Sequence, residues 1–431
     1  MSTTNGLVAD LAAAGGTQSA QLVQSAADAV KALGPAVSAS TVSGEVYTRP
    51  VYSLATGLLT EVQHSFHTLS NFDVSQPLRT RGVIEQRVFK CDSACKSAQT
   101  PTASQVCGVI DFQTQLQKRT IPRRVYTHGG GNRGAGDSTS LTADDLGIGT
   151  VGTGAQLVLM PDGSCQSGTG WSLDQPAQRN AYRDHLIANL KASKGTCRQG
   201  WPLGAPARSQ PAVIEPASRI PLRDPTFLSY AAAPVPPAAK YSLSQPPGSA
   251  KRPTMVFAAT HDGLLHAFRT DADPKIAVQD SLLQGDEMWA WLPRFNLVRQ
   301  SQMKLVTTPD ASYLGGSVVA GHVLLNRKTG TLAEMALDWR AVVLVGAGDG
   351  GSGYMALDVT SPDDPQLLWE ITPDRHCWRN GQIYGTTGPA CVNVGTFQAM
   401  GRSTAKATLA TLFFARPGES PAEHAVAILP M

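Results

Sequence analysis

Residues 339–370, WRAVVLVGAGDGGSGYMALDVTSPDDPQLLWE, constrain the fold more than any other stretch. Residues 340–345 are rich in β-branched side chains with Trp339 at their head, the composition of a buried strand. Residues 346–353 hold five glycines around Asp349, so the backbone there can turn tightly with positive φ. Residues 354–359 read as a second strand, stopped by Thr360, Ser361 and Pro362. Asp363 and Asp364 open a polar turn, and Leu367, Leu368 and Trp369 begin a third strand. Short strands joined by a Gly-Asp-Gly hairpin, the last carrying tryptophan, are the pattern of one antiparallel propeller blade.

The pattern recurs upstream. Residues 255–259 read as a strand, His261-Asp262-Gly263 as a turn, and 264–268 as a second strand. Residues 271–275 are a polar turn, and MWAWL at 288–292 is a tryptophan-bearing strand. A weaker third copy pairs apolar 409–415 with apolar 425–429 across a turn at 416–421. Blades normally repeat every ~40–50 residues, so insertions are expected between these copies. A closed propeller needs at least about four blades. The chain is therefore expected to be a fragment, a truncated product, or a piece completed by another chain.

The motifs resemble a known family. TMVFAATHDGLLHAF at 254–268 resembles the "vyvGanDGmLHaF" segment of the PilY-type family, the type IV pilus biogenesis and tip-adhesin proteins. GDEMWAWLP at 285–293 is similar to its "G.E.wAyiP" segment. WRAVVLVG at 339–346 with GGSGYMALDVT at 350–360 is similar to "WrtvLvGg.g.GGkgyyALDvT". The three matches keep the family's order over 255–370. Residues 123–127 (RRVYT) also resemble its short "R.iyTy" strand, and the Pro- and Ala-rich 202–247 its lead-in. The resemblance implies the C-terminal propeller of a surface-exposed pilus protein, with minor pilins or a pilus tip complex as partners and surface or host ligands as targets. It departs from the family at the metal sites. Asp137-Ser138-Thr139-Ser140 lacks the Asp-x-Ser-x-Ser spacing of the adhesion domain that some members carry, and the family's Asp-x-Asp-x-Asp calcium loop has no counterpart. Calcium is thus assigned to no residue, and no cofactor is evident.

Composition narrows the field. At 431 residues the chain can bury a substantial core. A net charge of +3 without a long basic run argues against nucleic acid as a partner. The longest apolar runs fall short of the ~20 residues that span a bilayer. The first thirty residues lack a basic start and a continuous apolar stretch, so no signal peptide is evident. The family resemblance nevertheless points to the cell surface, with the numbering starting after a removed or mis-assigned leader. Seven cysteines suit an oxidising compartment. Cys165 with Cys197 and Cys377 with Cys391 are candidate disulfide partners, although spacing does not fix connectivity. Cys91 and Cys95, with Cys107 nearby, have poor zinc spacing.

In chain order, 1–42 reads as a disordered start plus an amphipathic helix over 17–33. Residues 43–215 read as a smaller mixed α/β region bearing the first cysteines. It has short strands at 45–47, 51–54, 83–89 and 109–112, and ordinary polar histidines at 64 and 67. The glycine run at 129–134 reads as a surface loop, since it matches no phosphate-binding fingerprint. Residues 174–193 read as a helix with Tyr182, Leu186, Ile187 and Leu190 on one face. Asp224-Pro225 reads as a turn before a short strand at 227–230. Residues 216–431 read as the propeller portion, and the fold class is mainly β.

The titratable residues near the propeller turns are His261, Asp262, His266, Asp286, Glu287 and Asp349. Asp262-Gly263 and Asp349-Gly350 occupy equivalent turns, so a repeated structural role is expected, each aspartate holding its own turn's amides. Trp289, Trp291, Trp339 and Trp369 are expected to fill the gaps between blades. No residue is assigned a catalytic role. Three functions follow: a pilus-associated binding platform that serves assembly or adhesion, a quinoprotein-type dehydrogenase propeller with quinone and calcium, and a scaffold that pairs strands along an open edge.

Overall fold

The computed structural model describes residues 37–41, 46–52, 59–72, 80–90, 106–120, 123–127, 136–137, 157–161, 168–172, 176–196, 198–206, 209–220, 222–233, 252–270, 284–297, 314–325, 339–373, 375–378, 390–393, 401–415, 418 and 420–430. Strands β1 (Val37–Thr41), β2 (Val46–Tyr52), β3 (Leu59–Phe72), β4 (Thr80–Lys90) and β5 (Val106–Asp111) make one antiparallel sheet. β1 and β2 share one edge of β3, and β4 takes the other. β5 runs directly into helix α1 (Phe112–Lys118), because the Asp111 carboxylate accepts from the Gln113 and Thr114 amides and caps the first turn. Strands β6 (Val125–Thr127) and β7 (Gly136–Asp137), the hairpin β8 (Leu157–Pro161) and β9 (Gly168–Ser172), and helix α2 (Pro176–Leu190) follow.

Two meanders come next. In the first, β10 (Ala212–Ile214) precedes helix α3 (Pro225–Ala232), and β11 (Met255–Ala259), β12 (Leu265–Arg269) and β13 (Glu287–Leu292) complete four antiparallel strands. β6 adds to the far edge of β13 in parallel, although it lies more than a hundred residues upstream. The second meander is β14 (Val318–Leu324), β15 (Trp339–Gly346), β16 (Tyr354–Asp358) and β17 (Gln366–Ile371), extended by β18 (Arg375–Trp378) and β19 (Ala390–Asn393). A hairpin of β20 (Thr408–Phe414) and β21 (Ala422–Ile428) ends the described chain.

Side-chain alternation along the strands builds layers from these parts. Met255, Phe257, Ala259, Leu265, Ala267, Trp289 and Trp291 on the first meander meet Ala341, Val343, Val345, Met355 and Leu357 on the second in the largest apolar cluster. The intervening residues of the first meander, Val256, Ala258 and Phe268, face the other way onto Phe66, Ile84 and Phe112. Leu264, Ala290 and Leu292 pack on Tyr182, Leu186, Ile187 and Leu190 of α2. On the second meander, Val342, Leu344, Tyr354 and Ala356 face Leu409, Ala425 and Ala427 of the last hairpin. The order is N-terminal sheet and helices, first meander, second meander, hairpin. Both meanders are buried on two faces, which is why their strands read as continuous apolar runs rather than alternating ones. Among the described residues the layers do not close into a ring.

The inner strands of both meanders, β11–β13 and β15–β17, and both strands of the last hairpin lie close to where the sequence puts them. Three local readings are corrected. Residues 227–230 belong to a helix, not a strand: Asp224 caps it through the Thr226 and Phe227 amides, and Pro225 holds its first position. Phe112 leaves the strand to start α1, for the same capping reason. The polar stretch around His64 and His67 is part of the fourteen-residue β3. The helix expected over 17–33, the glycine run at 129–134 and Cys91, Cys95, Cys165 and Cys197 lie outside the described residues.

The layer order makes a stability prediction. Trp289 is fully buried between the meanders and donates its indole N–H to the Pro362 carbonyl at 2.7 Å. Trp289→Ala should destabilise by about 3–5 kcal/mol in urea unfolding. Phe413, 72% exposed on the last hairpin, should tolerate Phe413→Ser to within about 0.5 kcal/mol.

Candidate functional site

The densest chemistry lies on the face of the first meander that meets the N-terminal layer. Glu287 opens β13 with its carboxylate fully buried. Arg123, just ahead of β6, grips it with two bonds: Nε to Oε2 at 2.6 Å and Nη2 to Oε1 at 2.8 Å. Arg123 Nη1 also donates to the Leu190 carbonyl at 2.9 Å, at the C-terminal end of α2, where a cation suits the orphan carbonyls. His266 of β12 places Nδ1 2.6 Å from Glu287 Oε1 and Nε2 2.8 Å from Thr260 Oγ1. The Thr260 hydroxyl in turn donates to Asp262 Oδ1. Arg198, beyond α2, donates to Asp262 Oδ2 at 2.9 Å.

The surrounding carboxylates favour the protonated form of His266. The Thr260 proton points to Asp262, so Thr260 Oγ1 accepts from His266 Nε2–H. His266 Nδ1 lies 2.6 Å from Glu287 Oε1 and 3.1 Å from Arg123 Nη2, and a protonated ring donates to Glu287 from Nδ1 and to Thr260 from Nε2. Burial pulls its pKa down, but the hydrogen bonds and charges of Asp262 and Glu287 outweigh burial and raise it. Burial pushes Glu287 up, and the charges and hydrogen bonds of Arg123 and His266 together outweigh it and hold the carboxyl at about 2. Asp262 is likewise pushed up by burial and then held well below the usual carboxylate range, chiefly by Arg198.

Thr260, His266 and Glu287 stand in the order hydroxyl, imidazole, carboxylate, the spatial logic of a nucleophile with its base. The chemistry does not follow. The raised pKa of His266 favours the imidazolium, which cannot act as a base, and the Thr260 hydroxyl bonds Asp262. All three side chains are buried, so a substrate has no approach. The cluster acts as a joint: Arg123 and Arg198 come from the N-terminal layer, and Asp262, His266 and Glu287 from the first meander. The strap at 201–206 closes over it. Ala205 accepts from the His261 amide at 2.8 Å, and Gly204 lies so near Asp262 that a Cβ there would sit 2.7 Å from the carboxyl carbon.

The remaining sequence-predicted residues are dispersed. Asp262 accepts from the Thr260 hydroxyl and from Arg198. Gly263 takes φ 87° in the same turn as Asp262. Asp349 and Gly350 lie in a short 3-10 turn between β15 and β16, the corresponding place in the second meander. Trp289 and Trp291 are in the cluster between the meanders. Trp339 stands apart from them, packed edge-on against Phe227 of α3 at 4.8 Å and donating to Thr226. Trp369 lies on the hairpin side of the second meander. Cys377 and Cys391 face each other in register on β18 and β19. The sequence marks Arg123 only as part of the strand-like segment 123–127 and does not single out Arg198. The signal for them was indirect: a Glu and a His inside strands otherwise built to be buried require charged partners. Among the described residues no three His, Cys, Asp or Glu side chains converge as metal ligands.

Comparison with known proteins places the meanders. Residues 216–395 match the family described as the PilY1 beta-propeller domain. This segment belongs to that family. The type IV pilus biogenesis factor PilY1 of Pseudomonas aeruginosa strain UCBPP-PA14 is 29% identical over 199 residues, 46% of this chain and 15% of the relative. PilY1 of strain PAO1 is 29% identical over 246 residues, 52% of this chain and 18% of the relative. A PilY1 homologue from Xylella fastidiosa strain Temecula1 is 32% identical over 123 residues, 28% of this chain and 8% of the relative. The chain thus spans under a fifth of the length of these PilY1 relatives and is a distant homologue of them. The crystal structure of the P. aeruginosa PilY1 C-terminal domain overlays with TM-score 0.23 at 19% identity, over 49% of this chain and 41% of that one, too loosely to inform the fold.

The joint makes the stability of this PilY1-like chain pH-dependent. The folded pKa values of Asp262 and Glu287 lie below their unfolded values near ~4. Their contribution is present above about pH 4 and is lost as pH falls toward about 2. His266 runs the other way: its raised pKa contributes fully below about pH 6.5, and that contribution is lost as pH rises through the folded value. Glu287→Gln leaves two buried cations without their carboxylate and should destabilise by about 3–5 kcal/mol at pH 7. In urea titrations from pH 2 to 6 the same variant should lose part of the acid-side dependence.

Proposed function

We propose that this chain works in type IV pilus biogenesis, its two meanders serving as propeller blades that form a rigid platform for pilus assembly or surface attachment. The match of residues 216–395 to the PilY1 beta-propeller domain carries this reading, supported by pilus biogenesis relatives matching up to 52% of the chain. Blades suit a platform because their strands are locked on both faces, which leaves turns and insertions free to vary. Minor pilins or a pilus tip complex are its partners, and the cell surface or pilus is its location. No helix among the described residues is long and apolar enough to cross a membrane.

A strand-pairing scaffold is the second reading, favoured by one observation. The hairpin β20–β21 is a two-stranded sheet among the described residues and exposes Leu412, Phe413, Phe414 and Ile428. An apolar hairpin with an open edge can accept a strand from a partner.

The test is complementation in a piliated host that lacks its own PilY1, with surface pili sheared off and probed for this chain. Restored piliation and recovery of the chain with the sheared pili are expected. A folded, exported chain that restores neither piliation nor adhesion would overturn the reading. Leu412→Ser with Phe413→Ser should abolish capture of minor pilins if the hairpin edge is used, and leave capture unchanged if the blades act as a platform alone.

A further inference from the structure

The second meander does not stop at four strands. β18 pairs antiparallel with β17, and β19 pairs antiparallel with β18. In the β18–β19 ladder Arg375 faces Asn393, His376 faces Val392, Cys377 faces Cys391 and Trp378 faces Ala390. The two cysteines are thus direct cross-strand partners, not merely neighbours in a loop. Directly opposed residues of an antiparallel pair have Cα atoms about 4.5 or about 5.5 Å apart, depending on the ladder position. A disulfide accepts Cα separations of about 4.4–6.8 Å. Either ladder position therefore falls within reach of the bond without moving the backbone.

We propose that Cys377 and Cys391 form a cross-strand disulfide that staples β19 to the second meander. β19 is the outermost strand of its sheet among the described residues, and it is only four residues long. A strand that short has few ladder bonds to hold its register. The chain joining it to β18 contains Gly381, Gly385 and Gly388, so it has much conformational freedom to lose on pairing. Closing that loop covalently removes this freedom from the unfolded chain and fixes the register of the edge. A fixed edge is also less open to pairing with the wrong strand.

The bond forms by thiol–disulfide exchange with a protein disulfide oxidant. One cysteine thiolate attacks the oxidant's disulfide, forming a mixed disulfide and releasing one oxidant thiolate. The second cysteine, as thiolate, then attacks the mixed disulfide and displaces the other oxidant thiolate. The oxidant leaves as a dithiol, two electrons reduced, and the two protein thiols have lost two protons and two electrons. The staple therefore requires passage through an oxidising compartment, as an exported protein would make.

Trypsin can read the bond directly. Cleavage after Arg375, Arg379 and Arg402 puts Cys377 in peptide 376–379 and Cys391 in peptide 380–402, with a cut between the two cysteines. The full chain is exported to the bacterial periplasm, its free thiols are alkylated on denaturation, and the digest is analysed by mass spectrometry without reductant. The expected result is the two peptides joined, lighter than their sum by two hydrogens and separated by reductant. In Cys391→Ser, Cys377 should become alkylated while the other cysteines keep their state. Alkylation of both cysteines in the exported wild type, or linkage of either to a different cysteine, would overturn the proposal.

Discussion

Glu287 is a carboxylate without access to water, and the arrangement of the N-terminal layer on the first meander follows from it. A buried carboxylate is tolerable only with a close cation and satisfied oxygens. Arg123 provides the cation through two parallel bonds, and His266 completes the shared oxygen. His266 bonds Thr260, Thr260 bonds Asp262, and Asp262 needs Arg198. One buried charge thus specifies a chain of partners in five separate places: the approach to β6, the segment after α2, the turn at 260–264, β12 and β13. The segment that matches the PilY1 beta-propeller domain contains three of those five places. Its Asp262, His266 and Glu287 are completed by arginines that lie outside it.

Apolar packing carries the same relation across the rest of the molecule. Alternate residues of β11 face opposite layers, so Phe257 contributes to the contact between meanders while Val256 and Ala258 contribute to the contact with the N-terminal sheet. A meander flanked on both faces gains most of its stability from its neighbours. Arg252 extends this across the meanders by donating to the Val359 and Thr360 carbonyls, and Glu370 accepts from the Arg294 and Phe295 amides. The result is a stack in which each layer completes the one before it.

Much of the stack was legible in the sequence because it rests on local signals. The Asp-Gly turns, the β-branched runs and the tryptophans located the inner strands of both meanders, and the apolar stripe of Tyr182, Leu186, Ile187 and Leu190 located α2. Legibility failed where partners are distant. β10 and β14, the first strand of each meander, are short or polar-flecked and are recognised only by their pairing with β11 and β15. β6 joins β13 in parallel from far upstream, a contact that no local pattern encodes. Helix α3 was missed for a different reason: Asp224-Pro225 fits a turn and a helix start equally well, and burial of Phe227 and Tyr230 against Leu324 and Trp339 decides between them. In the joint, Glu287 and His266 were visible as polar residues in apolar strands, but which arginines answer them depends on tertiary structure alone.

Native-state hydrogen exchange is the measurement that tests this joint most directly. It reads the opening free energy of the amides of α2 and β6 beside those of β11, β12 and β13. A single shared value is expected, because separating the two layers would strand Glu287 and Asp262 in an apolar face without their cations. Opening of α2 and β6 several kcal/mol below the meander strands would contradict the joint, and would mean that the layers are separate cooperative units in loose contact.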